Sequence, residues 1–403
     1  FRSRELTIGH DGDVSVIHQS RTGLHSADER YRVFTVEHVV TDEVRATSGE
    51  LHDRATLDIA WAVPDYRIDN SGEEPLWTVP AERGTFWSYF PTKYSMTLSG
   101  ALNAAWKTNE DRQNLLDSAD LNRELLDVAA RLVIDSLPEL VVDQDPAAYL
   151  ALLPGRVRES PNWACKYLTG KVWELASNHP SLPDQDGCLR EPGALRFRPE
   201  DVGHVTLKLW SDYPGRPKNW VHHSVDAVGL RRGKMRHVLD ACTGLEPASI
   251  TEWLEALVAD GSEKGSIAAL RVLSRLISHD IAGNGKLLAE AKSAKVVLTS
   301  SGDLVAPLPG GVFRRASDDV LRDDLVYVAD SIAGDPDMGR ILDQLGIREA
   351  DPDGRFRSIL DQGFAGYTDA HWIRFWQLLR TAGGASQTRA ILDKYPDAAT
   401  RSE

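Results

Sequence analysis

Tyr31-Arg32-Val33-Phe34-Thr35-Val36 and Thr56-Leu57-Asp58-Ile59-Ala60-Trp61 decide the fold of the first part of the chain. Their apolar side chains recur with period two, as in a strand that turns one face to a core and the other to solvent. Toward the amino terminus the same period runs through Leu6-Thr7-Ile8 and Val14-Ser15-Val16-Ile17-His18, separated by polar turns such as His10-Asp11-Gly12-Asp13. From Glu5 to about Tyr89 the pattern predicts an antiparallel meander with one buried face. After Phe90-Pro91 the period changes. Leu121, Leu125, Leu126, Val128, Ala129, Leu132 and Val133 recur three and four apart up to Leu137-Pro138, which predicts a long helix lying across the sheet and ended by proline.

Beyond about residue 145, Pro, Gly and Trp punctuate shorter elements. Helices are predicted over 166–177, 249–260, 266–279 and 369–381. The second begins with Ser249-Ile250-Thr251-Glu252, whose hydroxyl and carboxylate can satisfy free amides reciprocally, and Gly261 follows as a stop. An internal repeat links Pro180-Ser181-Leu182-Pro183-Asp184-Gln185-Asp186-Gly187-Cys188-Leu189-Arg190-Glu191-Pro192 with Val296-Val297-Leu298-Thr299-Ser300-Ser301-Gly302-Asp303-Leu304-Val305-Ala306-Pro307. Each half reads as strand, glycine turn, strand and proline, either a true repeat or two ordinary hairpins. The fold class expected is α/β (α+β), an antiparallel sheet with packed helices followed by mixed helix and hairpin domains. The expected segments are 1–144, 145–285 and 286–403.

The length of 403 residues is that of two or three domains, and 42% hydrophobic with 26% charged residues is the balance of folded domains. A net charge of −14 argues against a nucleic-acid partner, because phosphate tracking needs clustered Lys and Arg. Cys165, Cys188 and Cys242 are odd in number and far apart, neither a disulfide framework nor a zinc spacing, which predicts a reducing, cytoplasmic setting. No apolar run approaches the roughly 20 residues of a membrane helix, so no membrane partner is expected. Opening at Phe1 and entering a strand pattern within a few residues, the chain is expected to start inside a larger protein.

The densest chemistry lies between Thr85 and Leu116. Thr85-Phe86-Trp87-Ser88-Tyr89 reads as an aromatic strand, Phe90-Pro91-Thr92-Lys93 as a loop, and Tyr94-Ser95-Met96-Thr97-Leu98-Ser99-Gly100-Ala101-Leu102 as a second apolar strand. Asn109-Glu110-Asp111-Arg112-Gln113-Asn114-Leu115 then reads as a polar turn just before a helix. This order of Phe-Pro loop, glycine, apolar strand and Asn-x-x-Arg turn resembles the region after the nucleotide-binding domain in sacsin-like proteins. It is also similar to the middle domain of the ninety-kilodalton heat-shock chaperones, both GHKL-type ATPases. The resemblance is strongest over about residues 84–140. In those chaperones the turn has the form Asn-x-Ser-Arg-Glu-x-Leu, and here Asn109, Arg112 and Leu115 match while Asp111 and Gln113 depart.

The resemblance implies that residues 1–144 form a middle, transducer-like domain and that Arg112 contacts the γ-phosphate of ATP. Lys93, by a parallel with gyrase and mismatch-repair ATPases, and Asn109 would stand beside it. ATP and Mg would be held by an absent upstream domain, since the Glu…Asn pair, Asp-x-Gly-x-Gly segment and glycine-rich lid that such a site needs do not occur in order. The chain would then be the non-catalytic portion of a chaperone-like ATPase, with an upstream ATP-binding domain, a protein client or partner and a homodimer as its associations. Read from the residues alone, Lys93 and Arg112 are equally a solvated strand end and turn. The alternative is a nucleotide-independent scaffold or protein-interaction module.

Other motifs carry less. Gly283-Asn284-Gly285-Lys286 lacks the first glycine, the Ser or Thr and the preceding strand of a phosphate loop. His222-His223, adjacent in an expected strand, would point to opposite faces and share no metal. Glu110-Asp111 reads as an exposed polar turn, and Asp69-Asn70-Ser71-Gly72 as an ordinary one. His371-Trp372-Ile373-Arg374-Phe375-Trp376 reads as core packing or as an interface helix.

Overall fold

In the computed structural model the residues described are 4–7, 15–19, 28–49, 54–64, 83–242, 244–309, 311–315, 325–350, 364, 368–382 and 385–396. Ile8, Val14 and the turns at 10–13 and 69–72 lie outside them.

Strand β4 (Thr56–Pro64) bears out its period-two reading: Leu57, Ile59, Trp61 and Val63 are buried and Asp58 is exposed. It pairs antiparallel with β3 (Asp28–Val39), bringing Phe34 opposite Trp61 with ring centroids 5.9 Å apart. β1 (Arg4–Thr7) and β2 (Ser15–Gln19) extend the meander, and a short helix α1 (Asp42–Ser48) follows β3. The sheet continues with β5 (Gly84–Ser88), β6 (Phe90–Met96) and β7 (Ala101–Asn103), in the order β1-β2-β3-β4-β7-β5-β6.

This sheet is mixed where an antiparallel one was expected, because β7 inserts between β4 and β5 and runs parallel to β5. Two glycines make the crossing possible. A Cβ at Gly84 would meet the Leu98 carbonyl at 2.2 Å, and one at Gly100, whose φ is +88°, would meet the Ala62 carbonyl at 2.1 Å. The close backbone approach at both, and the positive φ at Gly100, exclude other side chains.

The expected long helix is α2 (Asp120–Asp135), and it lies against β3 and β4 with Leu121, Leu125, Leu126, Ala129 and Val133 buried. A short helix α3 (Leu137–Leu140) takes Pro138 in its first turn, where the missing N–H costs nothing. Helix α4 (Trp163–Ala176) packs on α2, and its core continues to α6 (Gly229–Ala241), so the boundary expected near 145 falls inside one hydrophobic core.

The chain divides into two compact units, 1–197 with 218–246, and 198–217 with 247–403. The second contains α5 (His204–Ser211), α7 (Ile250–Glu255), α8 (Glu263–Arg275), α9 (Gly285–Ser293), α10 (Asp330–Ala333), α11 (Met338–Gln344), α12 (Asp369–Ala382) and α13 (Ala385–Lys394). Trp210 and Trp253 stack in its core with centroids 5.8 Å apart. The Ser249–Glu252 box caps α7 as predicted, and Gly261 has φ +65°. On α12, Phe375 is buried with Ile391 of α13, so this helix has a core of its own.

The internal repeat is structural. β8 (Leu182–Pro183) pairs with β9 (Leu189–Arg190) in the same register as β10 (Val297–Leu298) with β11 (Leu304–Val305). Each hairpin is joined by a later segment. The amide of His222 donates to the Pro183 carbonyl and that of Ala329 to Leu298, both at 2.9 Å, while Arg196 bridges Trp220 as Phe313 bridges Tyr327, in parallel. The unit that repeats is thus a hairpin plus a third segment over 20 residues distant in sequence, which local pattern could not show.

Candidate functional site

The expected Pro-Thr-Lys loop is instead part of β6, the edge strand of the sheet. Proline has no N–H to give a ladder and is tolerated where the edge faces outward, so Pro91 marks an edge rather than a loop. Thr92 is buried, its hydroxyl donating to the Phe86 carbonyl at 2.7 Å, and Lys93 on the next position is exposed. The stretch from Phe90 to Gly100 is therefore a fixed strand and bend.

The turn 109–114 covers that edge. The Lys93 amide donates to the Gln113 carbonyl at 3.0 Å, which sets Lys93 beside the residue that follows Arg112. Asn109 closes the turn: its Oδ1 accepts the amides of Gln113 at 3.1 Å and Asn114 at 3.0 Å, and its carbonyl accepts the Arg112 amide at 2.9 Å. Asp111 Oδ1 accepts the Gln113 amide at 3.0 Å, so this carboxylate is turned inward to the backbone. Arg112 is exposed, and its guanidinium makes no hydrogen bond or ion pair with the described residues. The structure thus brings Lys93, Asn109 and Arg112 together along one edge, with Asn109 acting on the backbone.

Arg112 sits at φ 57°, and among the described residues only Tyr89, at φ 60°, is another non-glycine with positive φ. Both flank β6. Left-handed backbone costs a residue with a Cβ about 1 to 2 kcal/mol, and such strain concentrates where surroundings and function hold it.

The turn does not lie just before the helix, as expected. Leu116 pairs back with Lys107 first, and α2 begins at Asp120. Asn122 of α2, fully buried, stitches this base: its Oδ1 accepts the Lys107 amide at 2.8 Å, and its Nδ2 donates to the carbonyls of Lys107 at 2.7 Å and Leu116 at 2.8 Å. Trp163 Nε1 adds a bond to the Leu115 carbonyl at 3.1 Å. Asn122 escaped the sequence reading, although an amide inside the apolar stripe Leu121–Leu126 is itself a signal, since buried polar groups require partners.

The remaining motifs resolve otherwise. His222 and His223 begin a short 3-10 turn, not a strand, and their rings meet edge to face at 4.3 Å instead of pointing apart. His222 Nδ1 accepts the Ser224 amide, which makes it a cap. No group of three or more His, Cys, Asp or Glu among the described residues could hold a metal ion. Asn284 caps α9 by accepting the Leu287 amide at 3.2 Å, which accounts for the Gly-Asn-Gly-Lys run. Cys165, Cys188 and Cys242 are free thiols. No helix among the described residues is long and apolar enough to cross a membrane.

Compared with protein-family models, with curated proteins and with solved structures, the chain has no match. The site is therefore read from its own chemistry.

Proposed function

We propose that this chain is the non-catalytic portion of a sacsin-like, chaperone-like ATPase, in which Arg112 reads the γ-phosphate of a nucleotide held with Mg by a preceding domain. The observation that carries the reading is a turn closed by hydrogen bonds that holds an arginine, unpaired among the described residues, at a strained backbone position beside the exposed Lys93. A planar, permanently charged guanidinium held this way is suited to stabilise charge on a transferring phosphoryl group without reorganising. The helices and hairpins after it would present a platform to a protein client or partner.

The test is ATP turnover by the ATP-binding domain joined to this chain, wild type against Arg112→Ala, with the chain alone as control. The chain alone is expected to be silent and the variant to slow at least about tenfold, roughly 1.4 kcal/mol of barrier. Unchanged turnover in the variant would make Arg112 a turn residue only. A second reading, a nucleotide-independent scaffold, is favoured by the repeated hairpin module, because recurrence of a unit without catalytic groups is how interaction surfaces are extended. On that reading partner capture persists in the Arg112 variant with or without ATP.

A further inference from the structure

Helix α4 has a glycine in its middle that the protein's own packing does not require. Gly170 has ordinary helical backbone, and a Cβ added there would meet nothing within 4 Å. Glycine inside a helix is unfavourable relative to alanine, and at this position it leaves the helix surface open. Gly170 lines an open groove of about 500 Å³ on the α2–α4 face, a size within the roughly 300–1,000 Å³ of ligand sites.

The lining sets Arg123, Lys166 and Lys171 and two aromatic rings beside the carboxylates Asp117 and Glu174. Arg123 of α2 lies over the rings of Trp163 and Tyr167, at 5.5 and 5.8 Å from their centroids, and is tied by Nη2 to the Asp117 carbonyl at 3.2 Å. Tyr167 is fixed in turn by its hydroxyl, which donates to Asp127 at 3.1 Å. Lys171 is paired with Glu174 at 3.1 Å, whereas Lys166 is exposed and makes no ion pair or side-chain hydrogen bond with the described residues. On a chain of net charge −14, this leaves an ammonium without a partner among the described residues and a pre-oriented guanidinium at a groove that Gly170 helps to line.

We propose that this groove docks a short acidic peptide segment of a protein partner, its carboxylates on Lys166 and Arg123 and its backbone passing close over Gly170. A polyphosphate fits poorly, because the amino terminus of α4 is closed by Asn162, whose Oδ1 accepts the Cys165 amide at 2.9 Å. Asp117, also in the lining, is placed to accept a peptide N–H group or a basic side chain. The inference is independent of the Arg112 reading, and its test involves no nucleotide turnover.

Random dodecapeptides displayed on phage are selected on the full chain, and enriched peptides are measured by fluorescence anisotropy on wild type, Lys166→Glu and Gly170→Leu, with ATP as competitor. Enrichment of Asp- and Glu-containing peptides is expected, with affinity falling at least about tenfold in either variant, weakening with salt and unmoved by ATP. Lys166 has no partner among the described residues to lose, and leucine is a good helix former, so both variants should melt no lower than wild type. Enrichment without an acidic signature, acidic peptides that bind both variants as wild type, or displacement by ATP would each overturn the proposal.

Discussion

The Asn109–Asn114 turn and the turns at the tips of the two small hairpins share one construction. In each a polar side chain at the first position folds onto the backbone, and the residue three further on takes a positive φ and donates its amide to the first residue's carbonyl. Asp184 leads to Gly187 at φ 80°, Thr299 to Gly302 at φ 90°, and Asn109 to Arg112 at φ 57°. The chain therefore uses glycine twice where this geometry needs freedom from a Cβ, and arginine at the third place. On the proposed reading that exception carries the chemistry, because a strained position is retained most readily where the side chain has a task. The closing groups differ as well: a buried carboxylate at Asp184, a hydroxyl at Thr299, an amide at Asn109.

If the construction is shared and only the closing chemistry differs, the losses should rank by charge. Asp184 Oδ1 accepts the amides of Asp186 and Cys188 at 2.9 and 3.0 Å, and Oδ2 accepts Arg190 Nε at 2.9 Å. Asp184→Ala should cost about 2 to 3 kcal/mol, read as faster amide hydrogen exchange confined to that hairpin. Thr299→Ala, which removes neutral hydrogen bonds, should cost about 1 kcal/mol; equal losses would break the ranking.

The glycines give the next effect. Gly187→Ala should cost about 1 to 2 kcal/mol, and more than Gly302→Ala, because its Cβ would also meet Pro146 at 3.1 Å while Gly302 faces open space. Exchange at the two hairpins measures both. At the third turn the sign reverses: Arg112→Gly should raise stability by up to about 1 kcal/mol in a thermal melt while lowering ATP turnover as Arg112→Ala does. A glycine variant no more stable than wild type would mean the turn holds Arg112 without strain.

The smallest effect contrasts these fixed turns with a titrating contact, made by Glu124 of α2. Burial pushes the Glu124 carboxyl up, but hydrogen bonds from His38 and Thr41 outweigh it and hold its pKa below the usual value. A lowered folded pKa means stability present above the usual carboxylate range and lost as pH falls through the lowered value. Glu124→Gln should flatten that acid limb by less than about 1 kcal/mol, followed by denaturant midpoints against pH.

Much of the architecture was legible in residues near one another. Period two in Leu57–Val63, period 3.6 from Leu121 to Val133, and the Ser249–Glu252 box each report a local choice of backbone, because burial on one face is written in every second or every third and fourth side chain. The repeat was visible through its glycines, though the differing residues at 184 and 299 disguised it, since backbone pairing and a free φ define the turn and several side chains can close it. At the site, the sequence marked Lys93, Asn109 and Arg112 but misread Pro91 as a loop residue, since edge and loop both tolerate proline.

By itself, then, the sequence determined the strands β3 and β4, the long helix, the cap of α7 and the residues able to carry charge at the turn. Only the tertiary structure decided that β7 enters between β4 and β5, that Asn122 anchors the turn from a helix, and that Arg112 stands strained beside Lys93. Gly170, too, became meaningful only with α2 in place. Each of these depends on contacts between segments distant in the chain, which one-dimensional periodicity does not encode and which form only when the core brings those segments together.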